Sequence, residues 1–298
     1  MNDLTVAETD TGRRSSFVYG LRQLVRTFNA NKSSWIGLVL LVVILLCAVF
    51  APLLAPYDPL QQRILATLQG PSAAHWMGTD EFGRDILSRL LYGARVSLFI
   101  GFVSTIVALA IGGLIGVVAG YFGRRLDIVV MQFMDVLLAF PALILGMLTV
   151  AMLGPSVTNL IIAIALTAAP SFARIARSPT LTIKQREFIM SGRVLSFSDK
   201  RLIGRHILPN IVPEVLVMAT LWLGTAIRTE SSLAFIGLGV QPPTATWGGM
   251  IRSGFENILE SPWLVFWPSM AILLTVFALN LLGDGLRDAI DPKLRGGT

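Results

Sequence analysis

The sequence predicts an all-α polytopic membrane protein with six transmembrane helices. Three observations carry this prediction. The chain of 298 residues is 54% hydrophobic and only 14% charged, where a soluble domain carries about 25% charged residues. Apolar runs long enough to cross a bilayer recur along it, separated by polar segments. Most of its cations are gathered into alternate connecting segments, as the positive-inside rule requires. The mean hydropathy is +0.69. The net charge of +6 reads as loops facing a cytoplasm rather than as a nucleic-acid surface.

The first span is residues 34–57, a charge-free run that is too long and starts too late for a signal peptide. The second is the charge-free run 96–122. The third and fourth are fused in one apolar tract that follows Asp127 and Asp135 and ends at Arg174. Gly154 and Pro155 divide it, because a Gly-Pro pair signals a turn. Pro141 and Pro170 are expected to kink these two spans. The fifth, residues 211–232, holds only 13 uncharged residues between Glu214 and Arg228, a length that also suits a re-entrant segment. The sixth, 262–283, begins with Trp263 and Trp267, an interfacial aromatic belt.

Six spans place both termini on one side. Of the 24 Lys and Arg residues, 18 lie in the segments of that side and six (Arg63, Arg84, Arg89, Arg95, Arg228 and Arg252) in those of the other. Both termini are therefore expected in the cytoplasm. The chain divides into a tail (1–32), a first helix with an external segment (33–95), a transmembrane core (96–286) and a second tail (287–298). Residues 174–210 interrupt the core, and eight cations between Arg174 and Arg205 exclude this stretch from lipid. Burying them would cost about 20 kcal/mol.

That stretch, "QREFIMSGRVLSFSDKRLIGRHILPN" from residue 185, reads as two short helices. Ser198 is placed to N-cap the second at Asp199. Pro209 should end it, and Pro213 should open the fifth span. The bend is expected at Ser198, with an ordinary negative φ at Ser196. On physical grounds alone, the stretch suits either a protein-docking surface or a basic loop lying on anionic lipid headgroups.

"GTDEFGRD", residues 78–85, has two glycines but Arg-Asp where a phosphate loop needs Lys followed by Ser or Thr. Asp80, Glu81 and Asp85 could hold a cation or form a solvated turn beside Arg84 and Arg89. Asp135 lies early in the third span and is a candidate for the substrate pathway or for an interfacial anchor. Arg228 and Glu230 bound the outer end of the fifth span, one of them facing the pathway. Gly112, Gly113, Gly116 and Gly120 form a small-residue face for close helix approach. Cys47 is a small apolar filler, and one cysteine permits no disulfide. A secondary transporter would show paired repeats and leave the charged stretch unexplained. A membrane enzyme would need a motif such as HExxH or GxSxG, which the sequence lacks.

Several stretches in order resemble one family. They are "HWMGTDEFGRDILSRLLYGARVSL" from residue 75, "MDVLLAFPALIL" from 134, "ESSLAFIGLGVQPPTATWGGM" from 230 and "LNLLGDGLRDAIDPKLRG" from 279, together with the stretch at 185. The chain resembles the C-type permease subunit of the ABC importers of dipeptides, oligopeptides and nickel. The resemblance covers residue 30 to the end. It implies the type I ABC importer permease fold in a bacterial cytoplasmic (inner) membrane, and a transport subunit without its own ATPase site. The implied partners are a homologous B-type permease, two ATPase subunits that bind ATP and Mg, and an external solute-binding protein. The chain itself would hold no cofactor.

The stretch at 185 then corresponds to the coupling loop that seats on an ATPase subunit. The family's Glu-Ala-Ala, followed four residues later by Gly, falls on Met190, Ser191, Gly192 and Ser196, with Glu187 one turn earlier. The coupling residues implied are Glu187, Met190, Ser191, Gly192, Arg193, Ser196, Asp199, Arg205, His206, Leu208 and Pro209. Asp135, Arg228 and Glu230 are the candidates for the substrate pathway.

Overall fold

The computed structural model describes residues 32–290. The two tails expected at 1–32 and 287–298 thus lie largely outside the described residues. Helix α1, Lys32–Val49, is followed by a separate turn at Ala51–Leu54. The next helices are α2, Ile86–Phe122, α3, Arg124–Ala139, α4, Ala142–Leu153, and α5, Val157–Ile183. A short α6, Glu187–Val194, leads to the long α7, Leu208–Phe235. Two helices close the described chain, α8 at Trp247–Glu256 and α9 at Trp263–Ile290.

Five of these stretches are each long and apolar enough to cross a membrane, and α3 with α4 supplies a sixth that is bent by 91°. The bend lies at Phe140 and Pro141, which leave the helical region of the backbone with ψ of 133° and 126°. A residue before proline is pushed out of the α region, and proline cannot donate the missing hydrogen bond. The expected kink at Pro141 is thus a right-angle break, whereas α5 runs on through Pro170 and Pro179.

Helix α2 starts ten residues before the charge-free run and spans 37 residues. At 1.5 Å per residue that is about 55 Å, well beyond the roughly 30 Å of hydrocarbon. The extra turns stand on the connecting segment 55–85. Asp85 caps α2 through Oδ2, which accepts from Ser88 N at 2.8 Å and Ser88 Oγ at 2.7 Å. Its Oδ1 meets His75 Nδ1 at 2.9 Å. Asp80 accepts from the backbone N–H groups of Phe82 and Arg84 and pairs with Arg84 Nε at 2.7 Å and Arg89 Nε at 3.3 Å. Asp80, Asp85, Arg84 and Arg89 are all buried. The expected solvated turn is instead an internal ion-pair network, which fixes the entry to α2.

The most extensive helix pair is α2 with α5. A Cβ on Gly112 would stand 2.2 Å from Ala169 O, and one on Gly116 would stand 2.0 Å from Ala173 O. Glycine on one helix and alanine on the other, both at spacing four, let the backbones touch. Gly120 continues the seam against Thr180. Gly113 faces away, with only Leu109 at 3.9 Å. At Gly37 of α1, a Cβ would meet Leu281 Cβ of α9 at 2.7 Å.

Because Ala169 O and Ala173 O are backbone atoms, Gly116→Val must separate α2 from α5. Overpacking of this kind costs about 1–3 kcal/mol. Its melting temperature in detergent should fall clearly below that of Gly113→Val. Equal melting temperatures for the two variants would show that the seam does not hold the bundle.

Candidate functional site

The stretch between α5 and α7 is built on the end of the α2–α5 seam. Ile189, Leu202 and Ile207 are buried in one cluster with Val117 and Tyr121 of α2 and Phe172 and Ala176 of α5. The sequence places these apolar residues at intervals that turn one side of each short helix inward. Polar bonds then tie the stretch to the C-terminal end of α2. Tyr121 Oη donates to Asp199 Oδ1 at 2.5 Å, and Lys184 Nζ donates to Gly120 O at 3.2 Å. The Arg193 guanidinium lies over the Tyr121 ring at 5.3 Å.

Helix α6 starts at Glu187, with a carboxylate in its positive first turn. It ends in a Schellman motif. Ser196 N donates to Arg193 O and Phe197 N to Gly192 O, both at 2.9 Å. This closure demands a left-handed residue between the helix and Phe197. Ser196 supplies it with φ +58°, so the expected negative φ is corrected. The serine retains the conformation of a turn glycine, and the bend is made there rather than at Ser198. Ser198 does occupy the N-cap position of the next turn, but its side chain accepts no capping bond.

Gly192 is buried inside the loop rather than presented for docking. A Cβ there would stand 2.9 Å from Leu202 Cδ2 and 3.2 Å from Phe197 Cδ2. The second expected helix does not end at Pro209. Asp199–Arg201 continues through a π-helical turn, Leu202–Ile207, into α7. Leu208 N reaches Ile203 O, a bond of the i→i−5 kind. The wider turn carries the axis up to Pro209, which lies in the first turn of α7, where its missing N–H costs little.

The structure gathers the other loop residues around this frame. His206 is half-buried between the rings of Phe188 and Phe197, at centroid distances of 6.5 and 6.3 Å. Arg201 stacks over Phe197 at 4.0 Å. Leu208 is half-buried. Met190, Ser191, Arg193, Asp199, Arg205 and Pro209 are exposed. Between them lies an apolar surface that the sequence reading did not single out. Val194 is 84% exposed and Leu195 67%, beside Met190 at 51% and Phe188 at 46%. Tyr121 was equally unmarked, since an aromatic at the end of a span looks like any interfacial ring. Only the fold shows that it faces Asp199.

The pathway candidates are dispersed. Asp135, on α3, pairs with Arg174 Nη2 at 2.6 Å, and both side chains are 55% exposed. One turn along α5, Arg177 grips Asp127 in a bidentate pair at 2.5 and 2.6 Å. Arg228 is exposed near the far end of α7, donating to Thr225 Oγ1 at 3.1 Å. Glu230 is fully buried. Ser231 Oγ donates to it at 3.3 Å, and the hydroxyls of Ser97 on α2 and Thr246 before α8 lie beside it. Glu230 thus presents no surface to a pathway in this conformation. Its surroundings pin α8 to the bundle. Trp247 N donates to Ser97 Oγ and Trp247 Nε1 to Leu90 O, both at 3.1 Å.

Comparisons with known proteins place the chain in a family. Residues 112–296 match the family described as binding-protein-dependent transport system inner membrane component. Residues 21–71 match the N-terminal TM domain of oligopeptide transport permease C. The chain is 43% identical to the dipeptide transport system permease protein DppC of Alkalihalophilus pseudofirmus, over 92% of this chain and 90% of that protein. It is 43% identical to the di/tripeptide transport system permease protein DppC of Pseudomonas aeruginosa, over 92% and 93%. It is also 43% identical to the glutathione transport system permease protein GsiD of Escherichia coli, over 91% and 90%. In structure it is similar to a chain of the inward-facing MetNI methionine ABC transporter, with a TM-score of 0.55 over 68% of this chain and 96% of that one, at 20% identity. The fold is that of a type I ABC importer permease, and the chain belongs to the family of binding-protein-dependent transport system inner membrane components.

Proposed function

We propose that this permease carries short peptides inward and takes its drive from ATPase subunits seated on α6. One observation carries the coupling half of this reading. Val194, Leu195 and Met190 are apolar side chains exposed at the basic end of the bundle, on a helix whose other face is fixed to the core. An exposed apolar patch rimmed by polar groups is a protein-docking surface. Arg186, Arg193, Lys200, Arg201 and Arg205 are exposed on the same stretch, and this many cations exclude its insertion into lipid. The cargo half rests on the relatives, which are named for dipeptides, di/tripeptides and glutathione, all short peptides.

On this reading, two ATPase subunits bind ATP and Mg, and this chain hydrolyses nothing itself. A homologous B-type permease supplies the other half of the pathway, and an external binding protein delivers the peptide. Closure of the ATPases moves the coupling loops as rigid bodies and alternates access. Both termini are cytoplasmic, on the side of the 18 cations. Asp135 and Arg228 border the pathway, and Glu230 acts on it only through the position of α8.

Topology is tested by single cysteines in a Cys47→Ala background. Gly70, exposed on the external segment, should react with an impermeant thiol reagent from outside once replaced by cysteine. Lys200, exposed in the coupling loop, should not. The reverse pattern would overturn the orientation.

Docking is tested on the loop itself. Val194→Asp with Leu195→Asp should abolish transport-linked ATP hydrolysis, while the bundle melts within about 0.5 kcal/mol of the parent, as surface changes do. Ser191→Cys and Ser196→Cys should cross-link to an ATPase subunit in the assembled importer. Ser196→Gly relieves a left-handed serine and should stabilise the loop by about 1 kcal/mol. Gly192→Leu should uncouple hydrolysis by displacing α6 from Leu202 and Phe197. If no position from 187 to 205 cross-links, the coupling claim is wrong.

For the pathway, Asp135→Asn should reduce peptide uptake at least several-fold with unchanged abundance in the membrane. A fall in abundance matching the fall in uptake would assign Asp135 to holding Arg174 instead.

A further inference from the structure

A groove of about 560 Å³ opens on the outside of the bundle where four helices meet. Leu41, Leu45 and Val49 of α1 form one wall, spaced four residues apart along a single stripe. Leu98, Phe99 and Phe102 of α2 form the facing wall. Ile227 of α7 and Leu279 of α9 close the floor. The two walls are antiparallel, so Val49 and Leu98 lie near one mouth, and Leu41 and Phe102 lie deep. From Arg95 at that mouth to Phe102 the groove follows α2 for seven residues, about 10 Å.

Its lining is aliphatic and aromatic with one exception. Arg95, exposed at the rim, has no carboxylate within ion-pair distance among the described residues. Its contact is the face of Tyr92, with the guanidinium 5.9 Å from the ring centroid. Arg84 and Arg89 on the same side are both held by Asp80. Arg95 marks the start of the charge-free run of α2, so it stands where hydrocarbon gives way to headgroups. Above the mouth, a second cavity of about 610 Å³ is bounded by Pro52, Tyr57, Asp58 and Tyr92. Asp58, its acidic member, is engaged by Leu60 N at 2.8 Å.

We infer that this groove is a binding site for one anionic phospholipid of the outer leaflet, with an acyl chain between α1 and α2 and its phosphate on Arg95. The chemistry of the two ends selects this occupant. The deep end offers only apolar contact, which suits a hydrocarbon chain and gives a polar ligand nothing to bond. The rim offers a planar guanidinium, which matches phosphate oxygens in bidentate fashion, and a phenol beside it. A helix of a partner permease would have to bring its own carboxylate to that depth, whereas the bilayer brings an anion in every acidic lipid. The site lies on an exposed side of α1, away from the coupling stretch; it does not depend on the cargo proposed above, and its leaflet follows from the proposed orientation.

The test uses the assembled importer in vesicles of phosphatidylglycerol and phosphatidylcholine. Leu98→Trp places a fluorophore in the wall, and brominated acyl chains quench a tryptophan they touch. Brominated phosphatidylglycerol should occupy the site with about fivefold preference over brominated phosphatidylcholine, the factor expected for one arginine at an anionic contact. Adding Arg95→Gln should bring that preference to unity while both lipids still quench. Phe99→Trp, on the exposed rim, provides a second reporter should the first perturb packing. Equal quenching by the two lipids with Arg95 intact would overturn the inference. So would an absence of quenching by either lipid, which would show that the partner permease covers the groove. Loss of the preference on adding inorganic phosphate would assign Arg95 to a free anion and also overturn it.

Discussion

The fold depends on two backbones allowed to touch. Gly112 and Gly116 press on the carbonyls of Ala169 and Ala173 at a separation that leaves no room for a Cβ. Within lipid the hydrophobic effect supplies little drive for one helix to pack on another, so close van der Waals contact must do so. Everything at the basic end is indexed to this seam. It sets Tyr121 and Phe172 side by side in one cluster, and that cluster receives Ile189, Leu202 and Ile207 from the coupling stretch. A wider spacing of α2 and α5 would leave the loop with no floor.

The coupling stretch is accordingly a rigid piece rather than a tether. Its inward face is apolar and buried, its turn is closed by two Schellman bonds, and its second half is continuous with α7 through the π-helical turn. On the coupling reading proposed above, a push on α6 passes through the closed turn at Ser196 and then along a continuous helix into α7. Bistable transitions need such parts, because packed elements rearrange as bodies rather than deforming gradually. Ser196 is the one strained point in this path. A serine tolerates left-handed φ less readily than glycine does, yet the two hydrogen bonds around it fix the turn regardless.

Five of the spans were legible because about twenty apolar residues in a row admit few other readings, whereas the fifth, with 13 uncharged residues between Glu214 and Arg228, rested on the parity of the topology. The break between the fourth and fifth spans was legible for the opposite reason, since the cations from Lys184 to Arg205 could not enter lipid. Geometry finer than this was hidden wherever a side chain and the backbone around it gave conflicting signals. The identity of Ser196 pointed to negative φ, but the closing bonds of α6 determine its conformation. Pro209 looked like a stop, but a π-helical turn absorbs it. Helix α8 was not marked in the sequence, where Gly248, Gly249 and Gly254 give no helical signal, whereas in the fold a Cβ on Gly248 would stand 2.6 Å from Ser231 Cα. The first ten residues of α2 were hidden by charges that looked solvated and are in fact paired in the interior.

The two ends of the bundle solve one problem in opposite ways. At the end opposite the loop, charge is consumed internally. Asp80 holds Arg84 and Arg89, and Asp85 holds His75 and caps α2. Buried ionic groups with specific partners hold only one arrangement, since moving either member leaves an unpaired charge in a low dielectric. At the basic end, charge is left outward on Arg186, Arg193, Lys200 and Arg205, and the floor beneath the loop is mainly apolar. Apolar contact is not directional, so a loop seated on it is held in register by only a few polar bonds, those of Tyr121 with Asp199 and Lys184 with Gly120. The end opposite the loop thus holds a fixed cap, α8 and the 55–85 segment, over the bundle. On the function proposed above, one end is driven by a partner and the other is loaded with cargo, and that asymmetry follows from where carboxylates and arginines are allowed to meet.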